Sequence, residues 1–151
     1  MTTALSADQV AELARGIAAR YGRTLRAIDR LDALDGRSGP LASEELRGDP
    51  GAADALAREL VARLLRVAAD ARLTPLLRAL VADGEQGLPA LAAGQRASRL
   101  AVLRRADDLV DAGLADRDPE RDTLAATPLG AALAAFLDQI EAATAASLRA
   151  L

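Results

Sequence analysis

The 151-residue chain contains no cysteine, histidine, tryptophan, lysine or asparagine. Without cysteine there is no disulfide framework and no thiolate metal site, and without histidine there is no imidazole base and no imidazole-bound zinc. The absence of lysine also excludes a Walker A phosphate loop. One tyrosine and one phenylalanine are too few for the stacking platform of single-strand nucleic-acid binders. We therefore predict no enzyme activity, no metal site and no cofactor.

Long apolar runs and a leader-like start are also missing. No apolar stretch approaches the 18 residues that indicate a membrane-spanning helix. The opening residues 1–4 (MTTA) lack the basic start and apolar stretch of a signal peptide. We expect a cytoplasmic protein that makes no membrane contact. The formal net charge of −3 argues mildly against a general nucleic-acid coat protein.

Alanine and leucine dominate what is present, with 38 and 27 residues respectively. Both are strong helix formers, and the spacing of the apolar residues predicts a mainly α-helical fold. From Val10 to Leu31 the apolar positions recur in steps of three and four, which predicts an amphipathic helix of about seven turns ending near Gly36. We assign residues 1–72 to an N-terminal helical arm and residues 73–151 to a second region.

Three dipeptides predict where further helices begin. Asp49-Pro50, Thr74-Pro75 and Thr127-Pro128 each place a capping side chain directly before a proline. A short helix is also predicted over residues 43–46. Another is predicted over residues 88–93, where Ala92, Ala93 and Gly94 would allow a tight turn into a helix over residues 97–112.

The one segment that does not have a helical pattern predicts a β-hairpin. Residues 113–117 and 122–126 are the predicted strands, and residues 118–121 (DPER) between them have the composition of a turn. From residue 75 to residue 137 the predicted order is then helix, short helix, helix, hairpin and helix. That order is typical of a winged helix-turn-helix, with residues 115–126 as the wing.

Three short motifs resemble those of MarR-like transcriptional regulators. Residues 109–117 (LVDAGLADR) resemble the end of the recognition helix and the first wing strand, residues 118–122 (DPERD) resemble the wing tip, and residues 127–130 (TPLG) resemble the start of the next helix. The resemblance covers roughly residues 73–137. It implies a dimeric DNA-binding regulator, with an effector that the sequence does not identify. The chain departs from the family pattern because about 70 residues precede this unit and one helix follows it.

The charge distribution suggests which residues would meet DNA. Between Gln86 and Ala106 every charged residue is an arginine. A helical projection places Arg104 outward with Ser98 and Arg105 beside it. It turns Arg99 toward the buried side, so Arg99 either precedes the regular helix or extends its charged end to solvent. We expect helix 97–112 to read the major groove and the wing to reach the backbone or minor groove. The predicted DNA-contacting residues are Arg96, Ser98, Arg99, Arg104, Arg105, Arg117 and Arg121.

Acidic residues leave two alternatives open. Arg104 and Asp108 have the spacing of an intrahelical ion pair, and four acidic side chains between residues 116 and 122 would repel phosphate. The unit could therefore be a winged helix that contacts only proteins or mediates dimerisation, or a plain helical bundle without the hairpin. The alternation of Asp116, Asp118 and Glu120 resembles the start of an EF-hand loop. Later residues do not fit that loop, so we interpret the segment as a solvated hairpin.

The expected partners are double-stranded DNA and a second copy of the chain. We expect the first and last helices to form a homodimer. Two-fold symmetry would then place two recognition helices about one DNA turn apart.

Overall fold

The computed structural model describes residues 7–34 and 48–150, and the chain there is mainly helical with one small antiparallel sheet. The predicted helix over residues 43–46 and the predicted end of the first helix near Gly36 lie outside the described residues. The elements in chain order are α1 (Ala7–Leu34), α2 (Pro50–Ala68), α3 (Leu73–Asp83), β1 (Gln86–Gly87), α4 (Leu88–Gly94), α5 (Arg99–Ala112), β2 (Ala115–Asp118), β3 (Thr123–Ala126) and α6 (Pro128–Arg149).

The sheet has three strands in the order β1-β3-β2, with both pairs antiparallel. The hairpin of β2 and β3 confirms the sequence prediction and excludes the bundle without strands. Strand β1 was not predicted, and it pairs through Gln86 opposite Leu124 and Gly87 opposite Thr123. Leu124 is fully buried in the central strand. The third strand therefore ties the hairpin to the segment that leads into α4.

The described residues share one core, and every buried side chain in it is aliphatic. The fully buried large side chains come from α3 to α6 and the sheet. Leu13 of α1 and Leu64 of α2 are buried in the same cluster. The division of the chain after residue 72 stays a prediction. The largest fully buried side chains are Leu76, Leu80, Leu88, Leu91, Val102, Leu109, Leu114, Leu124 and Leu133.

Two of the three predicted helix starts are confirmed. The Asp49 carboxylate accepts a hydrogen bond from the Gly51 N–H at 2.9 Å, and the Thr127 hydroxyl accepts one from the Gly130 N–H at 3.1 Å. The Thr127 hydroxyl also donates to the Gly113 carbonyl at 2.7 Å, so the cap joins the start of α6 to the end of α5. These side chains satisfy backbone donors that would otherwise lack a helical partner.

The Thr74-Pro75 prediction was wrong, because α3 begins at Leu73 and has no side-chain cap. The Asp70 carboxylate accepts from the Arg72 N–H at 2.7 Å, which turns the chain early enough for Leu73 to be helical. The Thr74 hydroxyl instead donates to the Ala68 carbonyl at 3.0 Å. Thr74 thus connects the end of α2 to the start of α3.

The turn between α4 and α5 also differs from the prediction. Gly94 is the last helical residue of α4, and the left-handed backbone conformation falls on Arg96, with φ of 48°. Ser98 is the N-cap of α5, and its hydroxyl accepts from the Ala101 N–H at 3.2 Å. Because an N-cap residue is not itself helical, α5 begins at Arg99 and not at the predicted residue 97.

Gly113 ends α5 as predicted, and the structure supplies a second reason for glycine there. Its φ of 76° is left-handed, and a Cβ at this position would overlap the guanidinium of Arg20 from α1. Arg20 donates from Nη2 to the carbonyls of Val110 at 3.2 Å and Asp111 at 2.9 Å. A cationic side chain from the N-terminal helix therefore satisfies carbonyls at the C-terminus of α5.

Candidate nucleic-acid interface

Helix α5 has a buried side and an outward side. Val102, Ala106 and Leu109 are fully buried against the core. The outward side begins with Leu100 and Arg104, which are both exposed and lie one turn apart. The second half of the outward side is acidic, with exposed aspartates at positions 107, 108 and 111. Positive charge on this helix is therefore confined to its N-terminal half.

Arg99 belongs to an ion-pair cluster with the wing, which we call the Asp122 cluster (Arg99, Asp107, Arg117 and Asp122). The sequence left open whether Arg99 precedes the regular helix or extends its charged end to solvent. Arg99 is the first helical residue, and its side chain is 66% exposed. Its Nη2 lies 2.5 Å from the Asp122 carboxylate. Arg117 donates to Asp122 at 3.1 Å and lies 3.7 Å from Asp107.

Asp122 takes part in the cluster through its carboxylate and in the local fold through its backbone. It adopts a left-handed conformation with φ of 54°, which aspartate tolerates better than most residues, and its carbonyl accepts from the Leu88 N–H at 3.1 Å. The hydrogen bond from Arg117, followed by that from Arg99, holds the pKa of the Asp122 carboxyl below its ordinary value. One residue of the hairpin turn thus contacts the starts of α4 and α5 and strand β2.

Three of the predicted DNA-contacting arginines have no side-chain partner among the described residues. These are Arg96, Arg104 and Arg105, of which the first two are exposed and the third is half-buried. The intrahelical pair between Arg104 and Asp108, which the sequence left open, does not form. Ser98 is exposed, with its hydroxyl occupied as the N-cap. These arginines remain available for phosphate or base edges.

The two predicted wing arginines differ in availability. Arg117 is 30% exposed and held by two carboxylates, so its charge is already neutralised within the protein. Arg121 at the tip is 74% exposed, and its Nε lies 3.6 Å from Asp118, an exposed pair of little energetic weight. The Asp118 carboxylate also accepts from the backbone N–H groups of Glu120 and Arg121, which fixes the turn. Arg121 is therefore the wing cation that could reach a backbone phosphate.

One further arginine joins this surface and was not among the predicted contacts. Arg72, in the turn before α3, lines a concavity of about 300 Å³. Its other charged lining residues are Arg104, Arg105, Asp70 and Asp108. In the sequence Arg72 follows the basic positions of an amphipathic helix and is indistinguishable from an ordinary solvated residue. Only the packing of the α2–α3 turn beside α5 brings it to the candidate interface.

Clustered metal ligands and membrane-spanning helices are both absent from the described residues. No group of three or more potential metal ligands is present in residues 7–34 and 48–150. Over the same residues, no helix combines the length and the hydropathy needed to cross a bilayer. Comparisons with protein-family models, with curated proteins and with solved structures find no match to the chain.

Proposed function

We propose that the chain is a DNA-binding transcriptional regulator whose residues 73–137 form a winged helix-turn-helix of the MarR-like kind. The connectivity supports this proposal. Helices α4 and α5 are joined by a four-residue turn, and the β2–β3 hairpin follows α5 directly. Strand β1 and the Asp122 cluster fix the hairpin beside the start of α5. A hairpin braced in this way could act as a wing next to a recognition helix.

The observation that carries the proposal is the distribution of charge on α5 and the turn before it. Arg96 and Arg104 are exposed without a side-chain partner among the described residues, and no acidic residue precedes Asp107 on this helix. Helix-turn-helix proteins contact base edges with the N-terminal residues of the recognition helix. The acidic second half of α5 would be repelled by phosphate, so only the N-terminal half of α5 would lie in the major groove.

A homodimer remains part of the proposal. Helix α1 packs against α6 within the chain, and a Cβ on Gly16 would lie 3.0 Å from Leu129 Cδ1. Both helices still expose large apolar side chains, with Val10 on α1 51% exposed and Leu148 on α6 63% exposed. Such side chains are compatible with a second copy, and sedimentation equilibrium would measure the expected two-chain mass.

The test is binding to mixed-sequence duplex DNA across a salt series, followed by fluorescence anisotropy. We expect the logarithm of affinity to fall linearly with the logarithm of salt concentration. On mixed-sequence DNA, where no guanine is selected, Arg104 and Arg105 should each neutralise one phosphate, so the Arg104→Ala/Arg105→Ala variant should reduce that slope by about 2 per protomer. The control is Arg15→Ala/Arg58→Ala, which removes the same charge from exposed positions on α1 and α2 and should leave the slope unchanged.

A second candidate function is a winged helix that binds protein and not DNA. The specific observation in its favour is that Arg99, Arg117 and Arg121 already face carboxylates of their own chain. The wing therefore presents more carboxylates than unpaired arginines. No DNA binding at low salt, with the protein folded, would overturn the first proposal and favour this one.

A further inference from the structure

Leu100 is the most exposed large apolar side chain on α5. It is the second residue of the helix and is 58% exposed, whereas Val102 is fully buried and Leu103 is half-buried. The core therefore does not use Leu100. A single exposed leucine needs no explanation by itself, so the argument depends on what surrounds it.

An unpaired arginine lies beside Leu100. Arg104 is four residues later on the same face of α5, and Arg96 is in the α4–α5 turn that leads into the helix. Neither arginine has a side-chain partner among the described residues. Exposed charge beside Leu100 disfavours an apolar protein surface as the occupant, because docking such a surface would desolvate the unpaired guanidinium of Arg104. An aliphatic side chain next to an unpaired cation instead suits a partner that is anionic and carries a small apolar group.

The major groove of DNA offers that combination. Its phosphates and guanine edges accept hydrogen bonds from arginine, and the 5-methyl group of thymine is the apolar group that protein side chains contact there. Leu100 and Arg104 are separated by about 6 Å along the helix axis, because an α-helix rises about 1.5 Å per residue. That separation corresponds to about two base-pair steps of 3.4 Å.

We propose that Leu100 contacts the 5-methyl group of a thymine while Arg104 binds a guanine within about two base pairs of it. The inference rests on the proposed DNA-binding function and adds the chemical class of base that the site reads. Leu100 is then a specificity-determining residue. The acidic side chains from Asp107 onward keep the second half of α5 out of the groove, so the reading is confined to the first two turns of the helix.

The experiment begins with selection of bound sequences from a randomised DNA duplex, followed by measurement of affinity for the selected duplex. Each selected thymine is then replaced in turn by deoxyuridine, which removes the methyl group and keeps every hydrogen-bonding group of the base edge. We expect one thymine position at which this replacement weakens binding about fourfold, the value for one buried methyl group. Leu100→Ala should reduce the loss at that position to less than about twofold.

The matched control is Leu148→Ala, which shortens a leucine of similar exposure on α6 and should keep the full methyl dependence. Because Leu100 is exposed, Leu100→Ala should unfold at the same temperature as the parent chain. If the chain binds DNA with the expected salt dependence but no deoxyuridine replacement changes affinity, the inference is wrong and the proposed function stands. If the folded chain binds no duplex at low salt, both are overturned.

Discussion

Replacement of Gly113 by alanine should destabilise the protein by about 2–4 kcal/mol. The left-handed φ of 76° costs an L-residue about 1–2 kcal/mol. The new Cβ would also overlap the Arg20 guanidinium and displace it. Displacement removes the two hydrogen bonds from Arg20 to the carbonyls of Val110 and Asp111, each worth about 0.5–1 kcal/mol.

The free energy of unfolding is measured by urea denaturation followed by circular dichroism. The control is Gly94→Ala, because Gly94 is helical and a Cβ there would meet open space. That control should leave stability unchanged or raise it by up to about 1 kcal/mol, since alanine is the better helix former. The reasoning is refuted if Gly113→Ala stays within about 0.5 kcal/mol of the parent chain with the same denaturant slope.

A double-mutant cycle with Arg20→Ala separates the backbone strain at Gly113 from the loss of the Arg20 hydrogen bonds. Without the guanidinium, Gly113→Ala should cost only the backbone strain of about 1–2 kcal/mol. The coupling between the two positions should then be about 1–2 kcal/mol, equal to the hydrogen bonds that Arg20 loses in the single variant. Strict additivity would show that Arg20 does not lie against Gly113.

Three further predictions concern other close contacts. Asp122→Asn should lower the free energy of unfolding, fully so above about pH 4 and less as the pH falls through the depressed pKa of the folded Asp122 carboxyl. A difference in urea midpoint between variant and parent that stays the same at acid pH would contradict the ion pairs. Gly130→Ala should cost about 3 kcal/mol or prevent folding, because its Cβ would overlap the Leu114 carbonyl oxygen, and a thermal melt like that of the parent would disprove this close approach. Arg96→Gly should raise the free energy of unfolding by about 0.5–1 kcal/mol, because glycine relieves the strain of the left-handed backbone, and it should weaken DNA binding in the anisotropy assay. A lower free energy of unfolding would contradict the strain assigned to Arg96.

Most elements with local signals were predicted well from the sequence. Thr74-Pro75 is the exception, because the Asp70 carboxylate turns the chain before the predicted cap. Asp49-Pro50 and Thr127-Pro128 mark helix starts because a capping oxygen and a proline act within one turn. Gly113 marks a helix end because only the backbone conformation of that one residue is needed. The hairpin followed from the turn composition of residues 118–121. Each of these signals involves residues that are close in the chain.

Elements that depend on distant partners were missed. The two residues of β1 have no strand signal, and they pair only because the hairpin is brought beside them. Gly94 looked like the turn residue, yet Arg96 takes the left-handed conformation that the turn requires. Arg20 reaches the end of α5 across 90 residues of sequence, a contact that no local pattern encodes.

The candidate interface divides in the same way. The sequence alone determined that the only charges between Gln86 and Ala106 are arginines, since that requires only reading the residues in order. Tertiary structure decided that Arg99 and Arg117 are neutralised by Asp107 and Asp122, because ion pairing depends on distances that folding sets. It likewise leaves Arg104 without a side-chain partner among the described residues. Tertiary structure also decided that Arg72 lies near Arg104 and Arg105 at the candidate interface, since only packing places the α2–α3 turn beside α5.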